Sequence, residues 1–307
     1  MIYTITLNPA FDVHATTDRF EAFHENLARV ESRQAGGKGI NISRALVQLG
    51  VHNTAVVVLG DQNAAEFKQE LKQASVDYIA LERPGRIREN LTLHCTDAPE
   101  TRISFTGFAV EDGVLEEIEA MLHLGQGTVV TFTGRIGDGM SLTAAKAFLA
   151  CLKEKGVRVV LDSRSFDTQD ILQVQPWLIK PNQEEISQYL GRPVETLEDA
   201  VAAAKEFAAG GITNVMVSMG GQGAVLVSDG SVYLATPPKI VPVSTIGAGD
   251  SSVAGFVAAA VAGGNAAQCL KQAVACGSAA CLTEGSLPPE KNCVEKIFNE
   301  ICLEKLA

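Results

Sequence analysis

From about residue 114 onward, short apolar runs alternate with helix-like stretches, and this rhythm constrains the fold of the chain more than any other feature. The runs are GTVVTFTG, VRVVLDS, PWLIKPN and TNVMVSMG, separated by segments such as SLTAAKAFLACLKEKG and DAVAAAKEFAAGG. Val129 to Phe132 and Val157 to Leu161 are nearly all apolar, as suits strands of a parallel sheet covered by helices on both faces. In such sheets ligands gather beyond the C-terminal ends of the strands. The polar residues closing the runs, Thr133, Asp162, Asn182 and Ser218, are therefore expected to face one crevice.

The N-terminal third has a different grain. VHATTDRFEAF and NLTLHCTDAPETRISF alternate polar and apolar residues between turn signals, which predicts a small antiparallel sheet. Between them GGKGINISRALVQLG reads as a glycine turn leading into a helix from about Ile40 to Leu49, stopped by Gly50. There are no repeats, low-complexity tracts or linker-like stretches. The expected organisation is one domain over 1–307 with a β-lid drawn from about 12–33 and 86–108.

Composition narrows the class of ligand. With 307 residues, 46% apolar and 20% charged, the chain is that of an ordinary globular protein with a sizeable core. Its formal net charge of -11 argues against nucleic acid or an anionic membrane as partner, since both recruit patches of Lys and Arg. A small anionic ligand can still bind through local positive groups. MIYTITLNPAFD has neither a basic start nor a long apolar run, so a cytoplasmic location is expected. The seven cysteines form no Cys-x-x-Cys pair and read as structural thiols.

The segment VSTIGAGDSSVAGFVAAAVAGG carries the chemistry. Gly247, Ala248 and Gly249 precede a long apolar helix starting near Asp250. A helix N-terminus offers unpaired N–H groups and about half a positive charge, and small residues let an anion approach the backbone. Phosphoryl transfer needs such a cradle plus a base for the attacking hydroxyl. The same residues also fit a plain turn with Asp250 as helix cap. The segment is neither a GxxxxGK[ST] loop nor a GxGxxG fingerprint, so P-loop and dinucleotide readings lose their main support.

Six motifs carry a resemblance over nearly the whole chain: TLNPAFD (Thr6 to Asp12), AGGKGINISRAL (Ala35 to Leu46), GRIREN (Gly85 to Asn90), KPNQEE (Lys180 to Glu185), SMGGQGA (Ser218 to Ala224) and STIGAGDSSVAGF (Ser244 to Phe256). In this order they resemble the ribokinase-like (PfkB) carbohydrate kinases. The similarity is greatest to the branch of bacterial 1-phosphofructokinase, tagatose-6-phosphate kinase and the minor 6-phosphofructokinase. The resemblance implies an α/β fold, a three-layer αβα sandwich with a mostly parallel central sheet and a small β-sheet lid. It also implies transfer of the ATP γ-phosphate, with Mg²⁺, to a sugar hydroxyl.

Carried over motif by motif, the resemblance makes Asp250 the base and the backbone of Gly247, Ala248 and Gly249 the anion hole. Lys180 and Thr245 would serve the nucleotide, as would Ser218, Gly220 and Gly223, which also read as a hairpin turn. Asn182 and Glu185 would place magnesium through ordered water, although Glu185 also fits a first-turn glutamate on a helix dipole. Asp12 would accept bonds from sugar hydroxyls. Gly36, Gly37, Lys38 and Asn41 would form the substrate loop, with Asn90 on the lid. Lys38 and Arg88 would lie near a phosphate already on the substrate, assisted by Arg29, which fits a solvated strand charge equally well.

Three substrate-facing positions depart from the branch. Arg135 stands in Thr133-Gly134-Arg135-Ile136-Gly137 where the branch has Ser-Gly-Ser-Leu-Pro. Arg164 stands in Asp162-Ser163-Arg164-Ser165 where Asp-Thr-Ser-Gly is common, and Thr92 replaces a frequent lysine. The first reading of the acceptor is a phosphorylated ketohexose; the second is an unphosphorylated sugar or nucleoside. A non-catalytic sugar-phosphate or nucleotide sensor and a dinucleotide-binding oxidoreductase are the readings from other classes. Convergence of Arg29, Lys38, Arg88 and Arg135 on one point, away from Asp250, would favour the first; divergence, or pairing with acids, would favour the second. Lid strands in this family can meet across a homodimer.

Overall fold

The computed structural model describes residues 1–95 and 100–306. The chain opens with β1 (Ile2–Thr6), β2 (Ala10–Thr17), β3 (Arg29–Gly36), α1 (Lys38–Gln48), β4 (Thr54–Gly60), α2 (Ala64–Gln73), β5 (Asp77–Arg83), β6 (Arg88–Cys95) and β7 (Thr101–Ser104). The alternating half holds α3 (Val114–Met121), β8 (Val129–Thr133), α4 (Leu142–Glu154), β9 (Arg158–Asp162), α5 (Thr168–Val174), β10 (Leu178–Ile179), α6 (Gln183–Leu190), α7 (Leu197–Ala209) and β11 (Asn214–Ser218). The chain closes with a 3₁₀ turn (Gly220–Gln222), β12 (Ala224–Ser228), β13 (Ser231–Thr236), α8 (Ala248–Val261), α9 (Ala266–Ala280), α10 (Lys291–Glu300) and β14 (Cys302–Lys305).

Ten strands form the main sheet in the order β14-β13-β12-β11-β10-β9-β8-β1-β4-β5. It is parallel from β11 to β5 and antiparallel from β11 to β14. Period-two alternation within its apolar runs builds both faces. Ile2, Val129 and Val160 pack with residues of α1, α8 and α9 such as Leu46, Phe256 and Leu270. Their neighbours Tyr3, Val130 and Leu161 pack on the other side with Ile118, Phe148 and Phe207 of α3, α4 and α7. Helices thus cover both faces of an α/β core, as the alternating runs imply.

The second sheet is smaller, with strand order β3-β2-β6-β7. The sequence predicts it antiparallel, but β2 and β6 run parallel while the outer pairs are antiparallel. The cause is connectivity. β2 follows β1 and β6 follows β5, and β1 and β5 run the same way in the main sheet, so both chains enter the small sheet from one direction. Of the second stretch expected to form a lid, residues 96–99 lie outside the described residues.

Two helix starts differ from expectation for one reason. α1 begins at Lys38 because Gly37, at φ 120°, completes the turn there, and α8 begins at Ala248 because Gly247, at φ 76°, does the same. The strand β14 on the sheet edge carries no signal in the sequence stronger than the helix that precedes it. Among the described residues no helix is long and apolar enough to cross a membrane.

Candidate active site

A cavity of about 490 Å³ opens between the C-terminal end of the main sheet and the small sheet. Thr6 closes β1, Thr133 closes β8, Asp162 closes β9, and Lys180 and Asn182 follow β10; all five line the cavity. Thr133, Asp162 and Asn182 therefore share the crevice expected of them. Ser218 does not line it, although it bridges to Asn182 beside it.

At one end sits the start of α8. Gly247 occupies the capping position, so Asp250 is the third residue of the helix rather than its cap. Its Oδ2 accepts a hydrogen bond from Asn41 Nδ2 at 2.8 Å, which ties α8 to α1. That geometry removes the cap reading of Asp250. The first helical bond runs from the Ser251 N–H to the Gly247 carbonyl, leaving the N–H groups of Gly249 and Asp250 before any helical acceptor. A Cβ at Gly249 would stand 3.0 Å from Lys180 Nζ, which places that ammonium against the same backbone.

Two carboxylates and two ammonium groups share this end. Lys38 Nζ donates to Asp162 Oδ1 at 2.7 Å, and Lys180 Nζ is 4.0 Å from Asp162 Oδ2. Burial would raise the Asp162 carboxyl, but Lys38 and Lys180 outweigh it and hold it below the usual carboxylate range. Burial likewise opposes charge on Lys38, yet Asp162 and Asp250 keep its pKa raised. Asp250 has the opposite fate: burial pushes its carboxyl up to about 6, and Asp162 adds to the rise while Lys38, Asn41 and Lys180 limit it. One buried acid is held ionised and its neighbour is poised near neutrality, the division of labour that proton abstraction requires.

Asn182 and Glu185 form a reciprocal cap on α6. Glu185 N–H donates to Asn182 Oδ1 at 2.8 Å, and Asn182 N–H donates to Glu185 Oε2 at 3.1 Å. The other oxygen of Glu185 accepts from Arg164 Nε at 3.0 Å. Both oxygens are thus engaged. Together with the lack, among the described residues, of any three-ligand His/Cys/Asp/Glu group, this leaves no protein cage for a metal. The donor set fits a hard cation that keeps most of its waters and is carried by phosphate oxygens.

The other end is built on the small sheet. Asp12 Oδ1 accepts from Asn90 Nδ2 at 2.9 Å, and Arg88 donates to Asn90 Oδ1 at 2.8 Å, to Asn8 Oδ1 at 2.9 Å and to the Phe105 carbonyl at 3.2 Å. Gly36 is required here: a Cβ would fall 2.2 Å from Asp12 Oδ2, so any side chain would displace the carboxylate. Arg102 and Arg135 line the cavity with Arg88. Among the buried oxygens with no partner are Thr6 Oγ1, Thr133 Oγ1 and Asn41 Oδ1, all on residues of the cavity wall. Such orphan groups are rare in native interiors and suit a polyhydroxylated ligand.

Most of the residues singled out in the sequence meet in this cavity: Asp12, Gly37, Lys38, Asn41, Arg88, Asn90, Arg135, Lys180, Asn182, Glu185, Thr245, Gly247, Gly249 and Asp250 line it. Gly36 in β3 and Ala248 in α8 do not line it, although each is next in the chain to a residue that does. Ser218, Gly220 and Gly223 lie outside the lining, in the β11–β12 hairpin, whose Gly223 has φ 95°. Arg29 is not brought in. Its side chain is exposed on β3 and lies 3.5 Å from Glu31, because β3 carries its N-terminal half beyond the cavity. Lys38 is also displaced from its expected role, since it joins Asp162 and Asp250 instead of the arginines. Of the four cations expected to converge, Arg88 and Arg135 line one end of the cavity, joined there by Arg102, whereas Lys38 and Arg29 pair with acids. Asn8 and Arg102 were not singled out in the sequence. The signal for Arg102 is register: it pairs across β7 with Thr92 of β6.

Known proteins resemble this chain in sequence and in fold. The pfkB family of carbohydrate kinases matches residues 6–293. The 1-phosphofructokinase of Haemophilus influenzae is 33% identical over 259 residues, 83% of each chain. Escherichia coli phosphofructokinase-2 in complex with fructose-6-phosphate superposes with a TM-score of 0.89 at 26% identity, over 97% of this chain and 98% of that one. The tetrameric inhibited form of the same enzyme gives 0.87 at 26% identity with the same coverage.

Proposed function

This chain belongs to the pfkB family of carbohydrate kinases, and on that premise we propose that it phosphorylates a ketohexose phosphate at the expense of ATP, in the manner of a 1-phosphofructokinase. One observation carries the choice of acceptor: a single cavity holds two charge groups, Asp250 with Lys38, Asp162 and Lys180, and Arg88 with Arg102 and Arg135. An acceptor with a hydroxyl at the first group and a phosphate at the second fits both. An unphosphorylated sugar would leave three guanidinium groups balanced by Asp12 and Asp138, an excess of positive charge.

In this reading the sugar hydroxyl oxygen attacks the γ-phosphorus, its proton passes to Asp250, and the bond to the β-phosphate bridging oxygen breaks to release ADP and a sugar bisphosphate. The α8 N-terminus and Lys180 stabilise charge on the moving phosphoryl group. Asp12 and the free Oδ1 of Asn41 accept from sugar hydroxyls. Ser218, Gly220 and Gly223 border the nucleotide. Mg²⁺ bound with ATP would neutralise phosphate charge, and Asn182 and Glu185 would hold its waters. A coupled ADP-release assay over fructose 1-phosphate, fructose 6-phosphate, tagatose 6-phosphate, fructose, ribose and adenosine tests the proposal. Turnover is expected with the first three, and turnover confined to the last three would sink it.

The assembly we propose is a homodimer through the small sheet. Val30, Ile103 and Phe105 are 60%, 42% and 54% exposed on or beside its edge strands β3 and β7. Exposed apolar groups at unpaired sheet edges invite pairing with another copy. Light scattering should give near twice the 32.4 kDa of one chain, and Val30→Asp with Ile103→Asp should return it to the single-chain mass. An unaltered mass in that double variant would exclude this interface.

A further inference from the structure

We infer that Arg102 is a specificity-determining residue, a third anchor for the phosphate that the acceptor already carries; the inference rests on the acceptor proposed above. The register places it. Asp12 pairs with Asn90, and two residues on, Thr92 pairs with Arg102, so Arg102 shares the face of Asp12 and Asn90 that lines the cavity.

The donors of Arg102 are uncommitted. Arg88 spends Nε and Nη1 on two neutral amides and a carbonyl, which orient it without cancelling its charge. Arg102 makes no hydrogen bond among the described residues; its one ion pair among them is with Asp12, with Nη2 to Oδ1 at 3.6 Å, and that oxygen already accepts from Asn90. Arg135 has no hydrogen bond or ion pair among the described residues. A guanidinium fork with open donors matches phosphate oxygens bidentately.

The local charge balance favours an anion. Burial lowers the pKa of Arg88, Asp12 supports its charge, and Arg102 and Arg135 lower the pKa further, with Asp138 as the remaining acid nearby. Three guanidinium groups thus face one space against Asp12 and an exposed Asp138. A phosphate dianion would relieve that mutual repulsion.

The test uses the full chain, Arg102→Met and Arg102→Lys. For each, kcat and KM are measured with fructose 1-phosphate and with fructose, and the rise in melting temperature is recorded on adding inorganic phosphate. In Arg102→Met the ratio of kcat/KM for fructose 1-phosphate over fructose should fall about 10- to 100-fold, the loss appearing in KM, as expected for one or two charge-assisted bonds. Arg102→Lys should recover part of it, and the stabilisation by phosphate should shrink in Arg102→Met. Equal losses on the phosphorylated and unphosphorylated sugar would mean that Arg102 only orients Asp12, and would overturn the inference, as would no loss. If the wild-type chain turns over no sugar phosphate, the proposed acceptor fails. Arg102 is then judged by inorganic phosphate alone: undiminished stabilisation in Arg102→Met overturns the anchor, and its loss sustains it.

Discussion

Asp250→Asn is expected to lower turnover by about 10²- to 10⁴-fold, the range for removal of a general base, while the protein stays folded and binds ATP. Asparagine keeps the shape and can still accept from Asn41 Nδ2, so the α1–α8 tie survives. What disappears is the proton acceptor. In the wild-type protein kcat/KM should fall on the acid side with a midpoint near the value of about 6 that burial imposes on Asp250. The variant's residual activity should lack that limb. Stability should move the other way. The folded-state pKa of Asp250 lies above its unfolded value, so its contribution to stability is fully present below about pH 4 and is lost as pH rises through about 6. Removing the titration should therefore leave Asp250→Asn as stable as wild type at pH 4 and more stable at pH 8. Near-normal turnover, or an unchanged acid limb, would refute the role of Asp250.

The contrast between Asp250 and its surroundings shows what the sequence could supply. The alternating runs specify the parallel core because nearly every residue in β8 and β9 must face a helix layer on one side or the other. The same runs end in polar residues, and three of the four lie in the cavity wall. Local composition at TIGAGD could not separate a cradle with a base from a capped turn, since both use the same residue types. Only the position of Gly247 at the cap, and of Asn41 from a helix about 200 residues away in sequence, removes the ambiguity. Where a charge belongs to a long side chain on the small sheet, legibility falls. Arg29 and Arg102 are both basic residues in alternating strands, yet β3 carries one out to solvent and β7 turns the other toward Asp12. That outcome depends on the parallel pairing of β2 with β6, which follows from the connectivity of the main sheet and has no local signature.

Lys38→Met should be the most costly single change to the charge network while leaving every reacting group in place. Lys38 is the hydrogen-bonded partner of Asp162 and the largest charge acting on Asp250, so its removal acts on both carboxylates. Among the described residues Asp162 would keep Lys180, at 4.0 Å, as its ion-pair partner, with Arg164 acting from further off. Stranding a buried charge typically costs about 3–5 kcal/mol, and the remaining lysine together with the partial exposure of Lys38 reduces this to roughly 2 kcal/mol. A fall in melting temperature of about 3 °C near neutral pH is expected for a chain of this size. The sign of its pH dependence follows from Asp162: a depressed carboxyl contributes stability above its unfolded pKa and loses it as pH falls through the folded value. The difference between wild type and Lys38→Met should therefore hold from neutral pH down to about 5 and close below about 4. Activity should change in the opposite window. Without the ammonium, the Asp250 carboxyl rises above about 6, so the acid limb of kcat/KM should move to higher pH and turnover at pH 7 should fall more than at pH 8.5. Lys38→Arg, which keeps the charge, should restore most of the stability and return the limb toward its original position. A Lys38→Met protein with an unshifted limb would show that Lys38 does not set the proton affinity of Asp250.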